Sequence, residues 1–369
     1  MDARTITVAM AATLLVASGA RGDVFNMGDP NLKNLEFVTV GDPGNAPDKT
    51  YAWPGYGSVS YTYRIGKYDV TVAQYCQFLN AVATQSDPFG LYNNIAMPGG
   101  PGSAHSGINR TGSSGNWSYN TTSGYAVNNG NFPMNCITWA NAARFCNWLT
   151  NGQPTGPEGA GTTETGSYTL NGSVDDANLQ RVTRNANPKY VIPTEDEWYK
   201  AAYYKGGSTN AGYWFYPTES NTAPSSVLSS TGTNNANYNT GTYRSGCTDP
   251  INYLTEVGSF AGSPGPYGTY DMGGDVNEWN EATHWLYPYR GLRGGGWGPY
   301  NEDFLNASQR RWLYPSHDFA DIGFRVVEVP EPAAMAVLAL GGLAVLRRRR
   351  RSLVGRATLL AGRVARGMV

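Results

Sequence analysis

The chain has 369 residues, with Gly 46, Tyr 25, Trp 10 and only 15% charged residues, a loop-rich, aromatic-rich composition that argues against a helical bundle and for an extracellular type of domain. The net charge of −1 hides an asymmetry: eight arginines fall between Arg347 and Arg366, and the body (21–330) carries about −8, which excludes a general nucleic-acid-binding surface. Cys76, Cys136, Cys146 and Cys247 are too few for a disulfide scaffold. An exported chain could form one or two bridges among them, while Cys76 and Cys146, on apolar helix faces, also read as small core residues.

Residues 1–20 read as a secretory signal: Arg4 is the positive start, 6–16 the apolar core, and Ser18-Gly19-Ala20 a small-residue cleavage site. Folding then takes place outside the cytoplasm. Residues 38–67 alternate apolar and polar positions between Pro-Gly pairs and predict short strands. A helix follows, capped by Thr71, with Val72, Tyr75, Cys76, Leu79 and Val82 on one face. Residues 85–131 are rich in Gly, Asn and Ser and read as a long surface insertion, ordered in part through Trp117 and Tyr125. Thr138 caps a second helix whose Ala142, Phe145, Cys146 and Leu149 face inward, with Trp139 and Trp148 in the core. Another polar connection, 151–187, holds a brief strand at Tyr168. Thr194 and Glu197 then form a capping box for a third helix, which Gly206 stops. Glu195 and Glu197 are expected to be cap and surface contacts rather than catalytic carboxylates. Residues 218–248 make a third polar insertion.

Residues 268–327 carry the densest pattern: GTYDMGGDVNEWNEA, LRGGGWGPY, ASQRRW and DIGFRVV. Asp271, Asp275, Glu278 and Glu281 fall within eleven residues, so one turn can present several oxygens to a hard cation; the same composition also makes ordinary turns. YDMGGDVNEW resembles the Y-[ND]-x-x-G-N-V-W-E-W signature of the formylglycine-generating enzyme family, also called sulfatase-modifying factor. LRGGGW is similar to its RGGSW strand and IGFRVV to its closing GFR strand. YDVTVAQYCQFL, FPMNCITWANAARFCNWL and VIPTEDEWYKAAYYKGG resemble its earlier motifs.

The resemblance implies an α+β fold of the C-type-lectin-like, sulfatase-modifying-factor kind, with short twisted antiparallel sheets, a few helices and long loops. It also implies calcium. One site would use Asp271, Gly274, Val276 and Glu278, and the other Asn237 and Tyr238, with Asp249 a loose candidate for the remaining carboxylate. Asp275 stands where the family has Asn, and Asn277 where it has the first Trp. The family's oxidase chemistry needs two cysteines after RGGSW that bind copper as thiolates. Residues 297–312 contain no cysteine, so neither copper nor formylglycine formation is expected of this chain. His105, His284 and His317 have no zinc spacing.

What remains in that segment is a recognition surface for sugar or peptide: Trp297, Tyr300, Asn301, Arg310, Trp312, Tyr314 and His317. The other reading buries Trp297 and Trp312 and gives Arg310 to loop anchoring. The tail, Val329-Pro-Glu-Pro332, then AAMAVLALGGLAVL and five arginines, resembles the PEP-CTERM sorting signal of Gram-negative bacteria. It implies export, transient anchoring in the inner membrane, processing by an exosortase-type enzyme and delivery to the envelope or extracellular matrix. The apolar span of fourteen residues is shorter than the roughly seventeen a stable bilayer helix needs. Residues 352–369 continue past the arginines, where such proteins usually end, and a plain tail anchor is the alternative. The organisation expected is a signal peptide (1–20), one domain (21–328), a sorting signal (329–351) and a basic tail (352–369). The function expected is a calcium-stabilised, non-oxidising binding module for glycan or protein at the cell surface. The alternatives are a formylglycine-generating oxidase-type enzyme and a structural matrix protein.

Overall fold

The computed structural model describes residues 25–99, 106–121, 129–241, 246–298 and 301–330. The signal segment, Tyr125, Tyr300 and the tail from Glu331 onward lie outside the described residues. In chain order the elements are β1 (Phe37–Val40), β2 (Tyr63–Gly66), α1 (Val72–Val82), β3 (Ile108–Ser113), β4 (Asn116–Thr121), α2 (Trp139–Thr150), α3 (Asp176–Arg181), β5 (Tyr190–Val191), α4 (Glu195–Tyr203), β6 (Asn277–Thr283), β7 (Arg290–Arg293), β8 (Arg311–Leu313), β9 (Ile322–Gly323) and β10 (Val327–Glu328). Among the described residues no helix is long and apolar enough to cross a membrane.

The helices start where their caps demand. Thr71 accepts from the Gln74 amide, and the Gln74 side chain returns to the Thr71 amide. Thr194 and Glu197 make the same reciprocal pair, and Thr138 accepts from Asn141 at 3.0 Å. Each cap meets backbone donors that the first helical turn cannot satisfy itself. The inward faces are buried as their spacing requires. Tyr75 and Phe78 of α1 meet Phe145 and Trp148 of α2 edge-on, stacked or tilted, at ring separations of 5.2 to 6.1 Å, and Phe324 closes the cluster 5.3 Å from Phe145.

Two four-stranded sheets flank this core. The first has the order β1-β2-β10-β5 and the second β8-β7-β6-β9. In the first, Val327 lies opposite Ile65 of β2 and Val191 of β5, so the last strand of the domain is placed between two of its earliest. The insertion at 85–131 is more ordered than its composition predicts: β3 and β4 form a hairpin. Tyr119, fully buried, anchors it rather than the half-buried Trp117. Asn80 accepts from the Tyr119 amide and donates to its carbonyl, and the Tyr119 hydroxyl reaches the Ala83 carbonyl.

Charge is buried where the segments converge. Arg325 is 0% exposed. Its Nε and Nη2 donate to both Glu278 oxygens at 3.0 Å, its Nη1 to the Gly66 carbonyl and its Nη2 to that of Tyr270. Glu278 also accepts from Trp198 Nε1 of α4 at 2.9 Å. Glu195 and Glu197 are not surface contacts, as expected from sequence, but buried nodes. Glu195 pairs with Arg293 and Arg310, and Glu197 with Arg184. An acid at the first turn of α4 favours the helix dipole, but here the arginines of distant segments determine its burial. Replacing Arg325 by Leu leaves Glu278 and Asp69 buried without a counter-charge. A loss of about 3–5 kcal/mol is expected in urea unfolding, and an unchanged midpoint would show that the guanidinium does not hold these segments together.

Candidate functional site

Two features stand out on the frame. The first is the glycine turn before β6. Asp271 and Asp275 adopt the left-handed region (φ 60° and 57°), as does Gly274 at 92°. A Cβ on Gly274 would lie 2.2 Å from the Asn237 carbonyl oxygen, so only glycine fits there. This close approach binds the 237 segment to the turn. The Asp275 amide donates to the Asn237 carbonyl, and the Asn237 side-chain amide donates to Asp275 Oδ1 at 2.8 Å. Thr255 donates to the same carboxylate through its amide and hydroxyl. Asp271 accepts from the Gly258 amide at 2.7 Å. Burial pushes Asp271 up to about 6 and Asp275, beside it, up to about 7.

Of the residues expected at calcium, Asn237 is joined to the glycine turn, and Asp249 is held within its own turn. Asn237 Oδ1 is buried and meets no protein donor. Asp249 accepts from the Ile251 and Asn252 amides and from the Asn252 side chain, while Asn252 Oδ1 is another buried acceptor without a partner. The unmet oxygens of Asn237 and Asn252 are of the neutral kind a hard cation accepts, while both oxygens of Asp249 are engaged by its own turn and no described contact joins it to Asn237. Tyr238 is 6% exposed and its hydroxyl is engaged by the Pro224 carbonyl, leaving its backbone carbonyl as the group it could offer. On the other side, both Glu278 oxygens face Arg325 and one also meets Trp198, so the set Asp271, Gly274, Val276 and Glu278 has one carboxylate already neutralised. Among the described residues no three His, Cys, Asp or Glu side chains converge as a metal cluster.

The second feature is an aromatic row on the β6–β7 hairpin and β8. His284 stacks on Trp285 and Tyr287, with ring separations of 6.0 and 5.4 Å, and meets Trp312 edge-on at 5.1 Å. Tyr287 stacks on Tyr289 at 5.3 Å, Tyr289 meets Tyr314 at 4.5 Å, and Tyr314 meets His317 at 5.0 Å. Arg310 lies 3.9 Å over Trp312, with its charge balanced by Glu195. The loop is held from below its rings. His284 Nδ1 accepts from the Leu286 and Tyr287 amides, and Gln180 of α3 donates to the His284 and Tyr287 carbonyls at 2.8 and 2.7 Å. Trp285 is 87% exposed, and Leu286 and Tyr287 are also exposed.

The expected ligand residues divide accordingly. Arg310, Trp312, Tyr314 and His317 belong to the row. Trp297 does not: it is 7% exposed, stacks on Tyr253 at 5.0 Å, and its Nε1 donates to the Ala320 carbonyl. Its flat ring fills the interior behind the Gly-rich strand, which corrects the expectation of a contact surface. Asn301 is exposed at the head of the turn Glu302–Leu305, where its amide reaches Asp303 at 3.3 Å, and no described ring contact joins it to the row. Tyr300 lies outside the described residues. Sequence reasoning missed Trp285, Leu286, Tyr287 and Tyr289. Their signal was present as the run HWLYPY between two strands, a cluster of large apolar residues at a turn, where a core cannot receive them.

Residues 37–330 match the sulfatase-modifying factor enzyme 1-like domain, and residues 328–351 match the PEP-CTERM protein-sorting motif, which implies export and sorting to the cell surface. No curated protein matches the chain. Among solved structures, variable protein 1 of Treponema denticola is similar at 20% identity, over 81% of this chain and 96% of that one, with a TM-score of 0.47. PvdO from Pseudomonas aeruginosa is similar at 19% identity, over 80% and 92%, with a TM-score of 0.42. With its α+β frame of short sheets and few helices, its Gly-Asp turn and its closing Arg325, the chain belongs to the family of sulfatase-modifying factor enzyme 1-like domains.

Proposed function

We propose that this domain is a non-oxidising recognition module that holds a glycan at the cell surface on its aromatic row. The observation that carries the reading is the contiguous set of rings from Trp285 to His317, of which Trp285, Tyr287 and His317 are exposed and His284, Tyr289, Trp312 and Tyr314 half-buried, on a hairpin fixed by Gln180. The C–H faces of pyranose rings lie flat on such aromatic faces. Tyr hydroxyls, His317 and Arg310 supply hydrogen bonds at the edges with little entropy to lose. A protein ligand would use the same rings, but a partly exposed row edged with hydroxyls suits hydroxyl-rich partners better. The sorting motif supports exosortase-type processing and sorting to the cell surface, and transient anchoring with delivery to the envelope or extracellular matrix would serve the same role. Trp285→Ala and Trp312→Ala should each weaken binding to a glycan-array hit by about 0.5–1.5 kcal/mol, roughly two- to tenfold in Kd, with unchanged melting for Trp285→Ala. Binding unaffected by either variant would remove the row from the site.

Calcium is the cofactor we assign, at the Asn237 side of the glycine turn, held by Asn237 Oδ1, the Tyr238 carbonyl and the Asp249 carboxylate. Glu278, already neutralised by Arg325, leaves Asp271 and the carbonyls of Gly274 and Val276 as a weaker second set. An ion there would tie the 237–252 segment to the turn and offset the buried acids Asp271 and Asp275. Calcium at a hundred times its Kd should then raise stability by about 2.7 kcal/mol over chelated protein, and Asn237→Ala should abolish the gain. Equal melting with calcium and with chelator would reject the assignment.

The oxidase reading lacks its thiolates. All four cysteines are buried, and Cys247 Sγ is engaged by the Asn239 side chain and the Trp297 carbonyl. Burial pushes Cys76 up to about 12 and Cys146 well above the usual thiol range. A buried neutral thiol is a poor nucleophile and a poor copper ligand. Native protein should leave a disulfide reagent such as DTNB essentially unreacted and release four equivalents once unfolded. One fast native thiol, or copper-dependent conversion of a sulfatase-derived cysteine peptide to an aldehyde, would restore the enzyme reading.

A further inference from the structure

Two loops meet beside the helix pair. One follows α1 and carries Asp87; the other follows α2 and carries Glu158. The second loop is tied to both helices: the Gly156 amide donates to the Ala81 carbonyl at 3.0 Å, and Trp148 Nε1 donates to the Pro154 carbonyl at 2.9 Å. Glu158 is only 9% exposed. Both of its carboxyl oxygens are buried, and neither meets a protein donor. A charge there would be costly, because nothing replaces the water it has lost.

The groups around it show how the carboxyl is tolerated. Asp87 lies beside it, half-buried. Asp87 accepts from the Leu91 amide at 2.6 Å through Oδ1 and from the Tyr92 amide at 2.9 Å through Oδ2. Tyr75 of α1 and Tyr119 of β4 also face the two acids, but their hydroxyls donate to the Leu91 and Ala83 carbonyls. Arg144 of α2 pairs with Glu164 at 2.6 Å, and its Nη1 meets no acceptor. Glu164 adds a further negative charge near Glu158.

Two buried carboxyl groups side by side do not both ionise; they share one proton. The amides select which group keeps it. They support a charge on Asp87, whereas Glu158 has no donor, so the proton lies on Glu158 and its hydroxyl points to Asp87. Burial first, and then the Asp87 charge, push Glu158 from its ordinary 4.5 up to about 9, against the opposing pull of Arg144.

We propose that Glu158 and Asp87 form a proton-locked clasp between the loop after α1 and the loop after α2, a carboxyl–carboxylate pair that opens as the medium turns alkaline. At the cell surface, to which the sorting motif directs the chain, the clasp meets the pH of the surroundings. Between pH 4.5 and about 9 the folded chain holds one proton more than the unfolded chain. The contribution of the clasp is therefore complete at acid pH, declines through neutrality and is lost above about 9.

Purified full-length protein and Glu158→Gln are compared in urea unfolding from about pH 5 to about pH 9. Gln presents a neutral donor to Asp87 at every pH. The buried acids Asp271 and Asp275 titrate alike in both proteins and cancel in the ratio of their unfolding constants. That ratio is expected to change about tenfold per pH unit, the parent protein losing stability relative to the variant as pH rises. Parallel curves overturn the clasp. Carboxyl-carbon NMR of the folded parent protein reads the same proton without unfolding. The Glu158 resonance is expected to titrate near pH 9, and lower in Asp87→Asn, which removes the adjacent charge. A midpoint in the ordinary carboxylate range, or one that Asp87→Asn leaves in place, overturns the shared proton.

Discussion

The structure depends on one buried guanidinium. Arg325 sits between strands that are far apart in sequence and gives hydrogen bonds to Gly66, Tyr270, Asp69 and both oxygens of Glu278. Through Glu278 it also fixes Trp198 and so the orientation of α4. A guanidinium has five N–H donors in a rigid fork, and here they hold the beginning, the middle and the end of the domain in one arrangement. Such a node adds little net stability over an apolar one, yet breaking it is costly. It specifies the fold more than it stabilises it.

The same logic recurs at Glu195 and Glu197, each buried at the start of α4 against arginines from β7, the segment before β8 and the 151–187 connection. These ion pairs position long loops that have little apolar surface of their own. The glycine turn solves the remaining problem. It brings the 237 segment within backbone contact of Gly274 and Asp275, just before β6, and gathers more carboxylate there than its arginine can neutralise. That excess, together with the unmet amide oxygens of Asn237 and Asn252, is the physical basis of the calcium proposal.

The proposed recognition role asks few changes of such a frame. The ion-pair nodes and the aromatic interior hold the strands whether or not a thiolate pair follows the RGGGW strand. Surface rings are then tolerated because the hairpin that bears them is fixed by hydrogen bonds from Gln180 rather than by their own burial. An exposed tryptophan on a rigid loop contributes contact area without ordering cost, which makes the row suited to binding.

The sequence by itself determined the parts whose signals are local. Thr71, Thr138 and Thr194 mark the three main helix starts because capping is a matter of neighbours within four residues. The apolar spacing of Val72 to Val82 and Ala142 to Leu149 defines the inward faces for the same reason. Motif order identified the family, and the absence of cysteine from 297–312 was plain by inspection. Tertiary structure alone decided which of the aromatic residues face solvent. Trp297 and Trp312 stand in similar contexts, yet one stacks inside on Tyr253 and the other meets His284 on the surface. It also decided that Glu195 and Glu197 are buried, that a Gly-Asn-Ser insertion contains a hairpin anchored by Tyr119, and that Glu158 is buried beside Asp87. In each case the deciding partner lies tens to hundreds of residues away, and neither composition nor periodicity carries information about a neighbour that only folding brings near.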